Sequence, residues 1–146
     1  MELTKNFHSS EYFVSKQYPE LARAINQIKY LDVIQLHAES IMQPIRDHFS
    51  KYPMTIISGV RSPRLNQEIG GSNDSDHLYG CAADFTSKNL YEMYLFCIYS
   101  KIPYRQIIYY PKQKFVHISN NIPGKTYKND TLVKTSTGYG NFNKGV

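Results

Sequence analysis

No tryptophan occurs in the 146 residues, and cysteine occurs only twice, as Cys81 and Cys97. Two thiols cannot build the multi-bridge framework of a small disulfide scaffold. Both lie among apolar neighbours, so buried free thiols in a reduced interior are expected. No apolar run approaches the ~18 residues that a membrane-crossing helix needs. The first ten residues are polar and carry Glu2, Lys5 and His8, unlike a secretory leader; synthesis in a cytoplasm is the expectation. There is no block of basic residues and no recognition-helix or single-strand-binding motif, so a specific nucleic-acid partner is not expected. Carboxylates also run short toward the C-terminus. Glu92 is the last glutamate, and Asp130 is the only acidic residue after it.

What is present fits one domain spanning 1–146, with a tail from about residue 120 partly loose. The hydrophobic fraction of 41% suits a packed core. A net charge of +5 solubilises the surface and suits any polyanionic partner: nucleic acid, a membrane surface or an anionic cell wall. A monomer is expected.

Leu31 to Phe49 reads as a helix, because Ile34, Ala38, Ile41, Ile45 and Phe49 make one apolar stripe. Pro44 is expected to kink or split it. His37 and His48 read as ordinary residues on its flank. Met54 to Ser58 and Ala82 to Phe85 read as strands. Arg64 to Ile69 reads as a short helix ended by Gly70-Gly71. Asn89 to Ser100 reads as a helix apolar nearly all round. Gln106 to Tyr110 and Phe115 to Ser119 flank Pro111-Lys112-Gln113-Lys114 as a hairpin. In that register Tyr110 faces Phe115, Ile108 faces His117, and all four point to one side, with Tyr110 diagonal to His117. Thr131 to Lys134 is expected to add an edge strand, and the last few residues are expected to be loose.

The chemistry concentrates in Ser75-Asp76-His77-Leu78-Tyr79-Gly80-Cys81-Ala82-Ala83-Asp84. Turn residues first and small apolar residues after suggest a loop entering a buried strand, with His77 on the loop and Asp84 near the strand's end. An imidazole and a carboxylate so placed are two of the three protein ligands of a catalytic zinc. His117, in Phe115-Val116-His117-Ile118-Ser119, is the candidate third. Three protein ligands leave one zinc position for water, whose pKa the metal lowers toward ~7.

The run Ser75-x-His77-x-x-Gly80-x-Ala82-x-Asp84 resembles the zinc signature of the D-Ala-D-Ala carboxypeptidase family, which includes small bacterial and phage peptidoglycan peptidases and shares its core with the hedgehog signalling domain. The resemblance extends to Leu3–Glu11, Gln43–Asp47, Ser58-Gly59-Val60-Arg61-Ser62-Pro63 with Leu65-Asn66, Gly70-Gly71-Ser72, and Phe115–Ser119. It implies an α+β fold: a small, mostly antiparallel sheet with helices packed on one face. It implies Zn²⁺ held by His77, Asp84 and His117. Arg61 would hold the substrate carbonyl or a developing oxyanion, which a fixed guanidinium does better than a flexible ammonium. Ser75 would contact substrate or support the ligands.

One position departs from that family. Tyr110 stands where a glutamate base is expected, and a phenol of pKa ~10 is a poor base at neutral pH. Losing a positioned base costs ~10²–10⁴ in rate. Three arrangements stay open: Asp130 or Asp76 replaces the base, Tyr110 hydrogen-bonds the oxyanion, or the site binds without turnover. The expected function is therefore a zinc peptidase cutting D-amino-acid bonds of peptidoglycan stem peptides, as carboxypeptidase or endopeptidase, delivered to the wall by a lysis system or a virion. The alternative is a catalytically silent zinc module that binds a peptide or protein. A nucleic-acid domain with structural zinc is a third, less supported reading.

Overall fold

Strand-forming runs separated by turns and helices assemble into one six-stranded sheet. The fold, obtained as a computed structural model, describes residues 1–142; the expectation of loose final residues concerns 143–146, which lie outside the described residues. The strands are β1 (Thr55–Ser58), β2 (Ala82–Thr86), β3 (Tyr104–Tyr110), β4 (Phe115–Asn120), β5 (Asp130–Thr135) and β6 (Gly138–Asn141), in the order β1-β2-β4-β3-β5-β6. β5 runs parallel to β3, and every other pairing is antiparallel. The mixed α+β class and the mostly antiparallel sheet agree with the expectation.

Alternation along the strands separates two faces. Ala83, Phe85, Ile107, Val116 and Ile118 are fully buried on the core face. Asp84, Ile108 and His117 take the other. The hairpin register is the expected one, with Ile108 opposite His117 and Tyr110 opposite Phe115. β5 departs from expectation. It is an interior strand between β3 and β6, and β6 takes the edge. A two-residue turn joins them, with Thr135 paired to Gly138 and the Thr135 hydroxyl donating to the Gly138 carbonyl at 3.0 Å. The polar segment after Asn120 thus holds more regular structure than its composition suggests.

The helices are α1 (Pro19–Arg23), α2 (Leu31–His37), α3 (Gln43–His48), α4 (Pro63–Ile69) and α5 (Leu90–Tyr99). The stripe Ile34, Ala38, Ile41 and Ile45 is wholly buried. Pro44 neither splits nor ends this helical run. A π turn over Ala38–Met42 joins α2 to α3, and the Gln43 N–H donates to the Ala38 carbonyl five residues back. Widening that turn makes room for the proline ring, which would otherwise meet the carbonyl of Ser40. α5 buries Leu90, Met93, Tyr94, Cys97 and Ile98. Both cysteines are free and buried.

His37 is not an ordinary flank residue. It is fully buried, with Nδ1 2.8 Å from the Tyr12 hydroxyl and Nε2 3.0 Å from the Ile118 carbonyl. A carbonyl only accepts, so Nε2 carries the proton and Nδ1 accepts from the phenol. Burial drives its pKa down to about 4, against the opposing pull of the Ile118 carbonyl. His37 is therefore a neutral strut holding α2 to the back of β4.

Candidate metal centre and its cleft

His77 is fixed from both ends. Its 3-10 turn, Asp76–Tyr79, starts at Ser75, whose hydroxyl accepts from the His77 N–H at 3.2 Å. The turn closes at Gly80, which has a φ of +75° and packs where a Cβ would meet Val33 and Tyr30. A side chain there would be both strained and obstructed. His77 Nδ1 donates to the Gly59 carbonyl at 2.7 Å, which leaves Nε2 as the lone-pair nitrogen. Gly59 can approach only because it lacks a Cβ, which would lie 2.2 Å from the Tyr12 carbonyl oxygen.

Asp84 lies mid-strand in β2 rather than at its end, directly opposite His117 of β4. Its Oδ1 is 2.8 Å from His117 Nδ1 and 3.2 Å from His77 Nε2. One ligand atom from each of the three residues lies within 4.8 Å of the others, and all three residues are buried. Donors of a tetrahedral zinc at ~2.0–2.1 Å stand about 3.3 Å apart, so contacts of this size match the spacing such an ion imposes. Two imidazoles and a carboxylate are also donors that zinc prefers. Burial alone would raise the Asp84 carboxyl, but His77 and His117 outweigh it and hold the carboxyl well below the usual range. Burial lowers His77, with Asp84 opposing.

Arg61 stands beside this cluster, its Nη2 3.8 Å from Asp84 Oδ2. Nε and Nη2 donate to the Ser58 hydroxyl, each at 3.3 Å, and Nη1 donates to Asn66 Oδ1 at 3.3 Å. Asn66 in turn donates to the Ser72 carbonyl at 2.9 Å. A Cβ on Gly71 would overlap Asn66 Oδ1 at 2.2 Å, so this glycine admits the Arg61–Asn66 contact. Burial lowers the Arg61 pKa, while Asp84 opposes the shift.

Arg61, His77, Asp84 and His117 line a cleft of about 620 Å³ that also takes in Ser75, Ile108, Tyr110, Phe115, Lys128, Leu132 and Tyr139. Tyr110 stacks on Phe115, ring centroids 4.2 Å apart, and its hydroxyl lies 3.2 Å from that of Tyr139. Burial, the Tyr139 contact and the Asp84 charge all raise the Tyr110 pKa, so it stays a protonated phenol.

Neither carboxylate considered as a substitute base stands unpaired in the cleft. Asp76 is committed elsewhere: Arg105 Nη1 donates to both its oxygens at 2.8 and 2.9 Å, Lys125 to Oδ1 at 2.6 Å, and Ser119 to Oδ2 at 2.7 Å. Asp130 opens β5 beside Gln106 and is not among the residues lining the cleft. Sequence reasoning missed Tyr139 and the Arg105–Asp76–Lys125 cluster. Their spacings of 29 and 49 residues around Asp76 carry no local signal.

In this mixed α+β fold, a mostly antiparallel sheet with two histidines and an aspartate converging on one face gives the chain a candidate metal centre. A family model described as Peptidase M15 matches residues 7–119, a span that contains Arg61, Ser75, His77, Asp84, Tyr110 and His117. The chain belongs to the peptidase M15 family. Peptidases of that family are zinc metallopeptidases, and the His77–Asp84–His117 cluster is one that can hold such an ion. No curated protein matches the chain.

Proposed function

We propose that the protein is a zinc-dependent peptidase hydrolysing D-amino-acid peptide bonds in peptidoglycan stem peptides, as a carboxypeptidase or endopeptidase. The observation that carries this reading is the convergence of His77 Nε2, Asp84 Oδ1 and His117 Nδ1 beside Arg61 on an open cleft. When bound there, zinc supplies Lewis acidity toward a carbonyl and a water of lowered pKa.

The chain's own groups do the rest. The Gly59 carbonyl orients the His77 imidazole, and pairing of β2 with β4 sets Asp84 opposite His117. Arg61, held by Ser58 and Asn66, offers a fixed cation to the substrate carbonyl or its developing negative charge. Tyr110 offers a phenolic proton to the same region. Ser75 lines the cleft near His77 and contacts substrate. The net charge of +5 favours adhesion to an anionic wall. The enzyme works as a monomer and reaches the wall when a lysis system releases it or a virion carries it.

A second reading is favoured by one observation: the carboxylates on the cleft are already engaged. Asp84 belongs to the metal cluster, Asp76 to Arg105 and Lys125, and exposed Asp74 lies 3.5 Å from Lys125. On this reading the domain binds zinc and a peptide without turning it over.

Digestion of purified peptidoglycan separates the two. Wild type is expected to release D-Ala or cleaved stem peptides, and His117→Ala is expected to release none. No release by wild type at any pH leaves the silent module. Tyr110→Glu is expected to raise the rate about 10²–10⁴-fold by restoring a base; no gain in a folded, zinc-loaded variant means the base is not what the site lacks.

A further inference from the structure

β5 and β6 lie beyond the family-matched residues, yet they complete the cleft. Parallel pairing with β3 sets Leu132 beside Ile108, in the row that continues through His117 to Asp84. β6 then sets Tyr139 opposite Lys134, whose Nζ lies 4.9 Å from the Tyr139 ring centroid. The Tyr139 ring stands edge-on to Tyr110, with centroids 6.2 Å apart and planes at 85°. Their hydroxyls share one hydrogen bond of 3.2 Å.

Two phenols sharing one hydrogen bond retain one O–H that neither of them accepts. Either hydroxyl can keep it; both rings line the cleft and Tyr139 is 56% exposed, so a ligand can reach the pair. Arg61 supplies further donors from the metal side, and Lys128 lines the same cleft. The cleft aspartates are each paired as described, while Arg61, Lys128 and the two phenols present donors on the same walls. A surface of that kind is complementary to a group with lone pairs and negative charge.

We infer that Tyr139 is a specificity-determining residue, which with Tyr110 forms a two-phenol donor that recognises a free carboxylate on the peptide ligand. This rests on the reading of the cleft as a peptide site. The carboxylate has two possible sources, the peptide's C-terminus or a side chain.

The test is calorimetric titration of zinc-loaded wild type, Tyr139→Phe and Tyr110→Phe with acetyl-lysyl-D-alanyl-D-alanine whose last amide is reduced and so resists hydrolysis. Three forms are compared: free C-terminus, C-terminal amide, and C-terminal amide with a D-glutamate added. Wild type should prefer a carboxylate-bearing form by about tenfold, the effect of one hydrogen bond to a charged group. Whichever of the two carboxylate forms is preferred identifies the source. Tyr139→Phe keeps the ring and removes only the hydroxyl, so it should lose about tenfold on that form and almost nothing on the plain amide. Undiminished discrimination in Tyr139→Phe, or equal weakening of all forms, overturns the inference while leaving the peptide site intact. Failure of wild type to bind any form overturns both. Zinc stoichiometry and unfolding temperature verify each variant's fold, and Tyr110→Phe carries the same test should Tyr139→Phe not fold.

Discussion

The Gly59 carbonyl lies 2.7 Å from His77 Nδ1 and so decides which nitrogen of that ring faces Asp84. The contact is remote in origin. Gly59 is held against the N-terminal segment, where the Val60 N–H donates to the Tyr12 carbonyl at 2.7 Å. Tyr12 also bonds His37, which bonds the backbone of β4 beside His117. The N-terminal segment therefore braces two ligand-bearing elements at once.

Substitution of Gly59 by alanine tests this bracing. The new methyl would lie 2.2 Å from the Tyr12 carbonyl oxygen, too close without backbone movement. Overpacking of that kind costs about 1–3 kcal/mol. Displacing the carbonyl that orients a ligand histidine typically weakens metal binding ~10–100-fold. Thermal unfolding and a competitive zinc titration of Gly59→Ala should show both losses; unchanged zinc affinity would mean His77 is oriented some other way.

The Asp76 cluster makes a different prediction. Asp76→Asn leaves the buried cations Arg105 and Lys125 without their shared counter-charge. Breaking a buried pair in this manner costs about 3–5 kcal/mol. Adding Lys125→Met should recover part of that loss, measured by denaturant unfolding. In the wild type, burial would raise the Asp76 carboxyl, but Lys125, Ser119 and Arg105 outweigh it and lower the pKa. Its stabilising contribution is then present above the ordinary carboxyl pKa of ~4 and fades as pH falls through the lower folded value.

His37 sets a pH dependence in a higher window. Its folded pKa of about 4 is below the 6.5 of a free imidazole, so the unfolded chain binds more protons between those values. Stability therefore rises with pH across that interval, and full protonation of the unfolded chain alone costs about 3 kcal/mol. His37→Gln removes the titration. Unfolding free energies from pH 4 to 7 should show a shallower slope in that variant than in wild type with the same metal content. Equal slopes would place the acid sensitivity elsewhere.

Much of the arrangement was legible from local pattern. The short loop Pro111–Lys114 fixes the hairpin register, which puts His117, Ile108, Tyr110 and Phe115 on one face. Small residues before Asp84 signal a buried strand, and β2 is that strand. The three candidate metal ligands do come together. What stayed hidden depends on partners distant in sequence. β6 is Gly-Tyr-Gly-Asn, with no apolar alternation, and it exists because β5 gives it a backbone to pair with. Asp76 looked like a spare carboxylate because Arg105 and Lys125 come from other segments. His37 looked like a flank residue because only the folded chain brings Tyr12 and Ile118 to its two nitrogens.

Zinc content tests the account most directly. Protein purified without chelator and assayed by elemental mass spectrometry should carry one zinc per chain, and the His77→Ala, His117→Ala double variant almost none. Folded wild-type protein with no stoichiometric zinc, and none taken up when zinc is supplied, contradicts a metal centre at His77, Asp84 and His117.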